Sequence, residues 1–386
     1  MPADAASVDI DYARRLPKVE VSCSPSSLLQ LFARQPPRAH GLQSLPRTAL
    51  LIRTHPQLHA HLTGSISRSC LHHIWERKTA EDPALHLADP LVAIPPEKVD
   101  YDIKTFFPLF SSYIYRLCND LPSIEFSTKA VLCDFQTDGV AYLELRTTPR
   151  AIPEQNVSKD DYVRTIAELL MAHNEGEENT MRAFLILSVD RRNTAAEAEE
   201  VVDLALKHRS AGVVGVDLCG NPAKGDVRVF TNAFGRAKAA GLKITLHFAE
   251  TEASATDQEL ETLLSWAPDR LGHVIHVKNK FRERIERECI GVELCLSCNV
   301  HAKLITGTFS DHHFGEWRHS HVPLALCTDD VGVFCSPLSQ EYYLAATHFD
   351  LDRSQLKSLA ERAIDSIFSG LDERSRLKTL FSNWSG

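Results

Sequence analysis

From Leu50 onward the chain alternates short apolar runs with longer amphipathic stretches. Eight runs read as strands, at residues 57–61, 140–145, 183–189, 213–218, 243–247, 270–273, 291–296 and 322–327. They are short and mostly apolar on both faces, the pattern of parallel strands covered on each side. Between most of them lie segments of helical length and periodicity, at 125–138, 160–173, 195–208, 227–240, 256–266 and 278–288. Gly139, Gly212, Gly241 and Gly291 each stand just ahead of a strand, where a left-handed residue often ends a helix. Repeated strand–helix units imply a parallel sheet with right-handed crossovers. Eight such units predict a (β/α)₈ barrel, with a doubly wound open sheet as the alternative. The long stretch between the first two strands, with a helical pattern over 104–117, predicts a helical insertion covering one end of the barrel. Residues 1–48 carry Pro25, Pro36, Pro37 and Pro46 and one helical turn around 28–32, and read as an N-terminal extension to a barrel domain over 49–386.

Composition narrows the class. With 44% hydrophobic and 24% charged residues in 386, the chain has the balance of a soluble folded protein with a large core. Lys plus Arg number 42 against 51 Asp plus Glu, a formal charge of -9 that argues against a footprint on duplex nucleic acid or an anionic membrane. A local pocket for one phosphate remains compatible with it. No apolar stretch reaches bilayer length, and the acidic start lacks a signal-peptide core, so a cytoplasmic, reduced protein is expected. The ten cysteines then read as core thiols, and Cys295-Leu-Ser-Cys298 lacks the second pair that a zinc knuckle needs. His312, His313, His319 and His321 read as part of a loop near a pocket mouth, with a second metal site as the alternative. No phosphate-cradling glycine loop or dinucleotide fingerprint is present, so neither ATP nor NAD is expected.

The candidate chemistry gathers at the C-terminal ends of the strands, where barrel enzymes place their active sites. His59 and His61 are two apart on a strand and share a face. His247 ends the fifth strand and Glu250 follows it; Gly272-His273 ends the sixth; Thr328-Asp329-Asp330 ends the eighth. Imidazole nitrogens and carboxylate oxygens suit Zn²⁺ or a similar first-row ion. After the second strand, Thr147, Thr148 and Arg150 suit a 5′-phosphate. Arg146 either joins them or is paired internally with Glu144 or Asp190. Tyr115 belongs either to a base or ribose pocket or to the packing of the insertion.

The segments His59-Ala-His-Leu-Thr-Gly-Ser65, His247-x-x-Glu250, Gly272-His273 and Thr328-Asp329-Asp330 together resemble the adenosine deaminase family of zinc hydrolases. Residues 142–150, 189–192, 312–315 and 338–342 further resemble its adenosine deaminase-like branch, the N6-methyl-AMP deaminases. The resemblance implies one zinc ion per chain, held by His59, His61, His247 and Asp329. It implies Glu250 as proton shuttle, His273 as the residue that positions or helps deprotonate the attacking water, and Asp330 as a hydrogen-bond partner of that water or of purine N7. Gly220 would offer its backbone to purine N3. His61, Thr63, Tyr115, Arg146, Thr147, Thr148, Pro149, Asp190 and Asp330 would complete the substrate pocket. Thr63 departs from the branch, which commonly carries Asn there. The implied reaction is zinc-dependent hydrolysis of N6-methyl-AMP to IMP and methylamine, with a purine nucleotide or nucleoside as the partner of a monomeric enzyme. Deamination of adenosine to inosine on the same fold is one alternative; a non-catalytic nucleoside-binding barrel is the other.

Overall fold

Eight parallel strands follow one another around a single sheet in chain order. They are β1 (His55–His61), β2 (Val140–Thr147), β3 (Arg182–Asp190), β4 (Val213–Cys219), β5 (Lys243–Phe248), β6 (Arg270–His273), β7 (Gly291–Leu294) and β8 (Leu324–Leu326). The segment after β8 returns to β1: the His61 amide donates to the Asp329 carbonyl and the Asp329 amide to the His59 carbonyl. Helices separate the strands, so the architecture is a (β/α)₈ barrel, as the strand pattern predicts. The computed structural model describes residues 55–383. The extension expected over 1–48, with its helical turn, lies outside the described residues.

Local sequence accounts for the boundaries. Ser158 and Thr194 each cap a crossover helix, Lys159–Glu175 and Ala195–Lys207, through reciprocal capping boxes with Asp161 and Glu197. Gly139, Gly212 and Gly241 end their helices with positive φ as expected. Gly291 does not. Cys289 takes the left-handed position at φ 51°, and Gly291 opens β7, where a Cβ would lie 2.9 Å from both Arg270 Cγ and Ser366 Cβ. That glycine is a packing requirement rather than a helix stop. The seventh strand also ends two residues short of the predicted run, because Leu296 already begins the helix Leu296–His301.

The insertion after β1 is helical. Its segment Ile103–Leu109 continues through a wide π-type turn at Phe110–Ile114 into Tyr115–Leu117. Pro108, inside this run, brings no N–H to the helical ladder. Among the described residues no helix is long and apolar enough to cross a membrane.

The barrel interior is not wholly apolar. Glu144, Arg146, Asp217, Arg270 and Glu293 are all fully buried and pair with one another. Unpaired, such charges would be prohibitively costly to bury; here each cation meets two anions.

Candidate active site

Four strand ends converge on one point above this ionic layer. Asp329 Oδ1 lies 3.3 Å from both His59 Nε2 and His61 Nε2, and His61 Nε2 lies 3.2 Å from His247 Nε2. His273 Nε2 stands 3.8 Å from the other oxygen, Oδ2. One ligand atom from each of His59, His247, His273 and Asp329 falls within 4.8 Å of the rest.

Carboxylates behind the rings determine which nitrogen faces inward. Glu293 Oε2 accepts from His59 Nδ1 at 2.7 Å, and Asp217 Oδ1 from His247 Nδ1 at 3.2 Å. Each Nδ1 thereby keeps the proton, and each Nε2 turns a lone pair toward the cluster. Buried His59 Nε2 and His273 Nε2 have no hydrogen-bond partner. The lone pairs of His59 and His247 and the Asp329 carboxylate converge as the ligands of a cation do, and this donor set fits a first-row divalent ion. His59, His247 and Asp329 belong both to this cluster and to the set the resemblance implies; the cluster's fourth member is His273, where the resemblance has His61.

The backbone is bent to achieve this. Ala249, His273, Val274 and Asp329, all beyond or at strand ends, have positive φ between 48° and 65°. Such conformations cost about 1–3 kcal/mol each outside glycine and cluster at functional sites. Gly272 is needed for a different reason: a Cβ there would come within 2.8 Å of the His59 ring.

The electrostatics separate the acids. Burial works against ionisation of Asp329, but the surrounding imidazoles outweigh it and hold its carboxyl well below the usual range. Asp330 goes the other way, raised by burial and by the neighbouring Asp329 charge. Burial likewise pushes Glu250 up to about 7, and its Oε2 has no partner. Burial lowers His273 to about 3, which leaves the ring neutral.

A cleft of about 830 Å³, part of it open to solvent, leads onto the cluster. Its wall includes His61, His247, Glu250, Asp329 and Asp330 on one side. Phe106, Phe107, Phe110 and Tyr115 of the insertion stand on the other, so the insertion covers the catalytic end. Thr63, Thr147, Thr148, Asp190 and Gly220 line the cleft as the sequence suggests, and Pro149 is not among its lining residues. Thr63 shares a hydrogen bond with Tyr115, and Thr147 one with Tyr162.

Arg146 reaches the cleft wall but is not free to hold a phosphate. Its guanidinium is taken up by Glu293 at 2.9 Å, Asp217 at 3.3 Å and the Leu58 carbonyl at 2.7 Å. Nor are its partners Glu144 and Asp190: Glu144 pairs with Arg270 and Asp190 with Arg192. The cations better placed for an anion are Arg150, stacked 4.3 Å over the Tyr115 ring, and Arg192, whose side chain is 64% exposed. Arg192 is not among the pocket residues the sequence suggests, although it ends the segment 189–192 that carries the resemblance. His312, expected in a loop at the pocket mouth, is instead buried behind His273, and half-buried His313 places its Nε2 2.6 Å from the His273 carbonyl. Cys295 and Cys298 are unbridged buried thiols, and Cys298 donates to Asp329 Oδ2.

The family model described as adenosine deaminase matches residues 55–384, from the first strand to the last helix. The chain belongs to the adenosine deaminase family. Within that family it is similar to the N6-mAMP deaminase of Arabidopsis thaliana, 35% identical over 89% of this chain and 98% of the relative. It is also similar to the N6-methyl-AMP deaminase of Homo sapiens, 33% identical over 91% and 96%. A solved structure of arabidopsis ADAL complexed with IMP superimposes with a TM-score of 0.80 at 35% identity, covering 86% of this chain and 97% of that one. Adenosine deaminase family members are hydrolases of purine carbon–nitrogen bonds, and the convergence of His, Asp and Glu side chains is chemistry of that kind.

Proposed function

We propose that this chain hydrolyses N6-methyl-AMP to IMP and methylamine. The observation that carries the reading is that a cation-ready His/Asp cluster and a buried, unpartnered Glu250 open onto one nucleotide-sized cleft. The relatives named for this reaction, and the relative solved with IMP, support the nucleotide as substrate.

Zinc is the ion that three imidazoles and one carboxylate suit, and when bound it supplies positive charge that lowers the pKa of water toward about 7. Glu250, protonated near neutrality, gives its proton to purine N1 and so makes C6 electrophilic. Asp330 and His273 flank the position of the attacking water and orient it. As the water oxygen bonds to C6 and the C6–N6 bond breaks, the water gives up both its protons, one to the departing methylamine and one that restores the Glu250 carboxyl. Gly220 presents its backbone, at φ 97°, to the far edge of the base. Thr148, Arg150 and Arg192 face the phosphate end of the cleft.

The test is a substrate panel on purified, zinc-loaded protein: N6-methyl-AMP, AMP, N6-methyladenosine and adenosine, with IMP and methylamine measured. Turnover of N6-methyl-AMP far above N6-methyladenosine is expected. Equal turnover of nucleotide and nucleoside removes the phosphate from the reading, and turnover of neither removes the enzyme.

A further inference from the structure

Behind His273, away from the cleft, lie two residues that the reaction does not touch. Asn299, fully buried in the helix Leu296–His301, has its Oδ1 placed 3.1 Å from His273 Nδ1 and its Nδ2 3.0 Å from His312 Nε2. His312 in turn accepts, at Nδ1, the backbone N–H of Phe314 at 2.9 Å. That amide opens the short helix Phe314–Trp317 and finds no carbonyl within it.

The direction of every bond in this chain follows from its one fixed donor. A backbone N–H points one way, so His312 Nδ1 is an acceptor. A neutral imidazole with an accepting Nδ1 carries its proton on Nε2. Burial keeps His312 neutral, well below its ordinary pKa. Its Nε2–H then meets the Asn299 amide and requires the oxygen there, since two donors cannot face each other. Amide oxygen and nitrogen are told apart only by such partners. The bond from the Phe314 N–H to His312 therefore turns the amide end for end from that placement, and its NH₂ group faces His273 Nδ1. That nitrogen accepts, and the His273 proton resides on Nε2, the atom that points at the cluster with no partner of its own.

We propose that Asn299 and His312 are positioning residues that hold His273 as its Nε2–H tautomer, a hydrogen-bond donor to the oxygen that attacks the purine. The inference rests on the deaminase reading for its catalytic meaning. A protonated Nε2 can neither ligate a cation nor remove a proton from water. His273 is thereby separated from His59 and His247, whose carboxylate partners hold the opposite tautomer with Nδ1–H. Three histidines of one cluster are sorted into ligands and a donor by what stands behind each ring. A donor aimed at an oxygen whose charge changes along the reaction stabilises the transition state.

The experiment is nitrogen-15 NMR on histidine-labelled, zinc-loaded full-length protein, with His273→Gln used to assign the His273 signals. Protonation on Nε2 is expected; protonation on Nδ1 overturns the proposal. Asn299→Asp replaces a group that donates and accepts by one that only accepts, so the His273 tautomer should invert. Turnover should fall by about 100-fold or more with KM little changed and zinc content intact. His312→Phe keeps an aromatic ring but removes the acceptor and the donor, and should lower kcat about 10-fold. His312→Gln, which restores an amide donor toward Asn299, should recover most of that loss. A His312→Phe enzyme with wild-type kcat and an unchanged His273 tautomer overturns the relay, and that pair decides the matter if Asn299→Asp does not fold. The tautomer is read independently of turnover. A wild-type protein with Nε2–H that deaminates no purine refutes the activity while the relay stands; one that deaminates N6-methyl-AMP with Nδ1–H refutes the relay alone.

Discussion

Cys298 donates its thiol hydrogen to Asp329 Oδ2 across 2.9 Å, leaving Oδ1 to face His59 and His61. One carboxylate is thus divided between a neutral donor and the cluster, so that it would offer a bound ion one oxygen. Removing the donor by Cys298→Val should weaken zinc binding by about 10-fold, the lower end of the effect of losing a group behind a metal ligand. Cys298→Ser, which keeps a hydroxyl donor, should bind zinc at least as well as the parent. Competition with a chromogenic chelator measures both.

Glu250 lies in the cleft with one carboxyl oxygen unpartnered. Glu250→Gln should retain zinc and thermal stability while kcat falls by about 10²–10⁴-fold. Metal analysis beside single-turnover kinetics distinguishes this from loss of the ion.

Arg146 and Arg192 should fail in different ways. Arg146→Met leaves Glu293 with Arg270 as its one remaining arginine and Asp217 with none, both buried, and should destabilise the fold by about 3–5 kcal/mol, seen as a lower midpoint in urea. Arg192→Gln, at an exposed site, should leave that midpoint in place. It should instead raise KM for N6-methyl-AMP about 10-fold, the worth of one charge-assisted hydrogen bond, without changing KM for the nucleoside.

Glu341 links pH to stability away from the active site. It is fully buried, and burial raises its carboxyl to about 7 although Ser297 and Ser336 donate to it. The folded state therefore binds this proton more tightly than the unfolded chain, whose carboxyl titrates at its ordinary 4.5. Between those two values the folded protein holds the extra proton, so stability from this group is complete below the lower one and is lost as pH rises toward 7. The loss amounts to about 3 kcal/mol. Glu341→Gln should flatten the change in urea midpoint between about pH 5 and about pH 8.

The fold and the cluster were legible because both are written locally. A short apolar run with a polar last residue is visible in one stretch of chain, and a barrel brings all such last residues to one rim; β6, at Arg270–His273, has the predicted bounds. What was not legible depends on register around the barrel. Arg146 on β2 reaches Asp217, 71 positions away on β4, and Glu293, 147 positions away on β7. Nothing near Arg146 in sequence marks those partners, whereas its neighbour Glu144 made a plausible but incorrect one. Glu293 sits between Val292 and Leu294 and reads as an oddity in an apolar strand until its four partners are seen.

Those four partners have a further implication. Glu293 receives His59 and Arg146 on one oxygen and Arg270 and Thr245 on the other, and Arg270 continues to Glu144 and the Ser366 carbonyl near the chain's end. The same carboxylate that orients a metal ligand also neutralises the floor of the barrel. A genetic screen for folding and a screen for activity should both return this position, and neither alone would reveal its second task. Re-engineering the centre for another cation would therefore have to begin two residues deep, by finding a new anion to stand between Arg146 and Arg270.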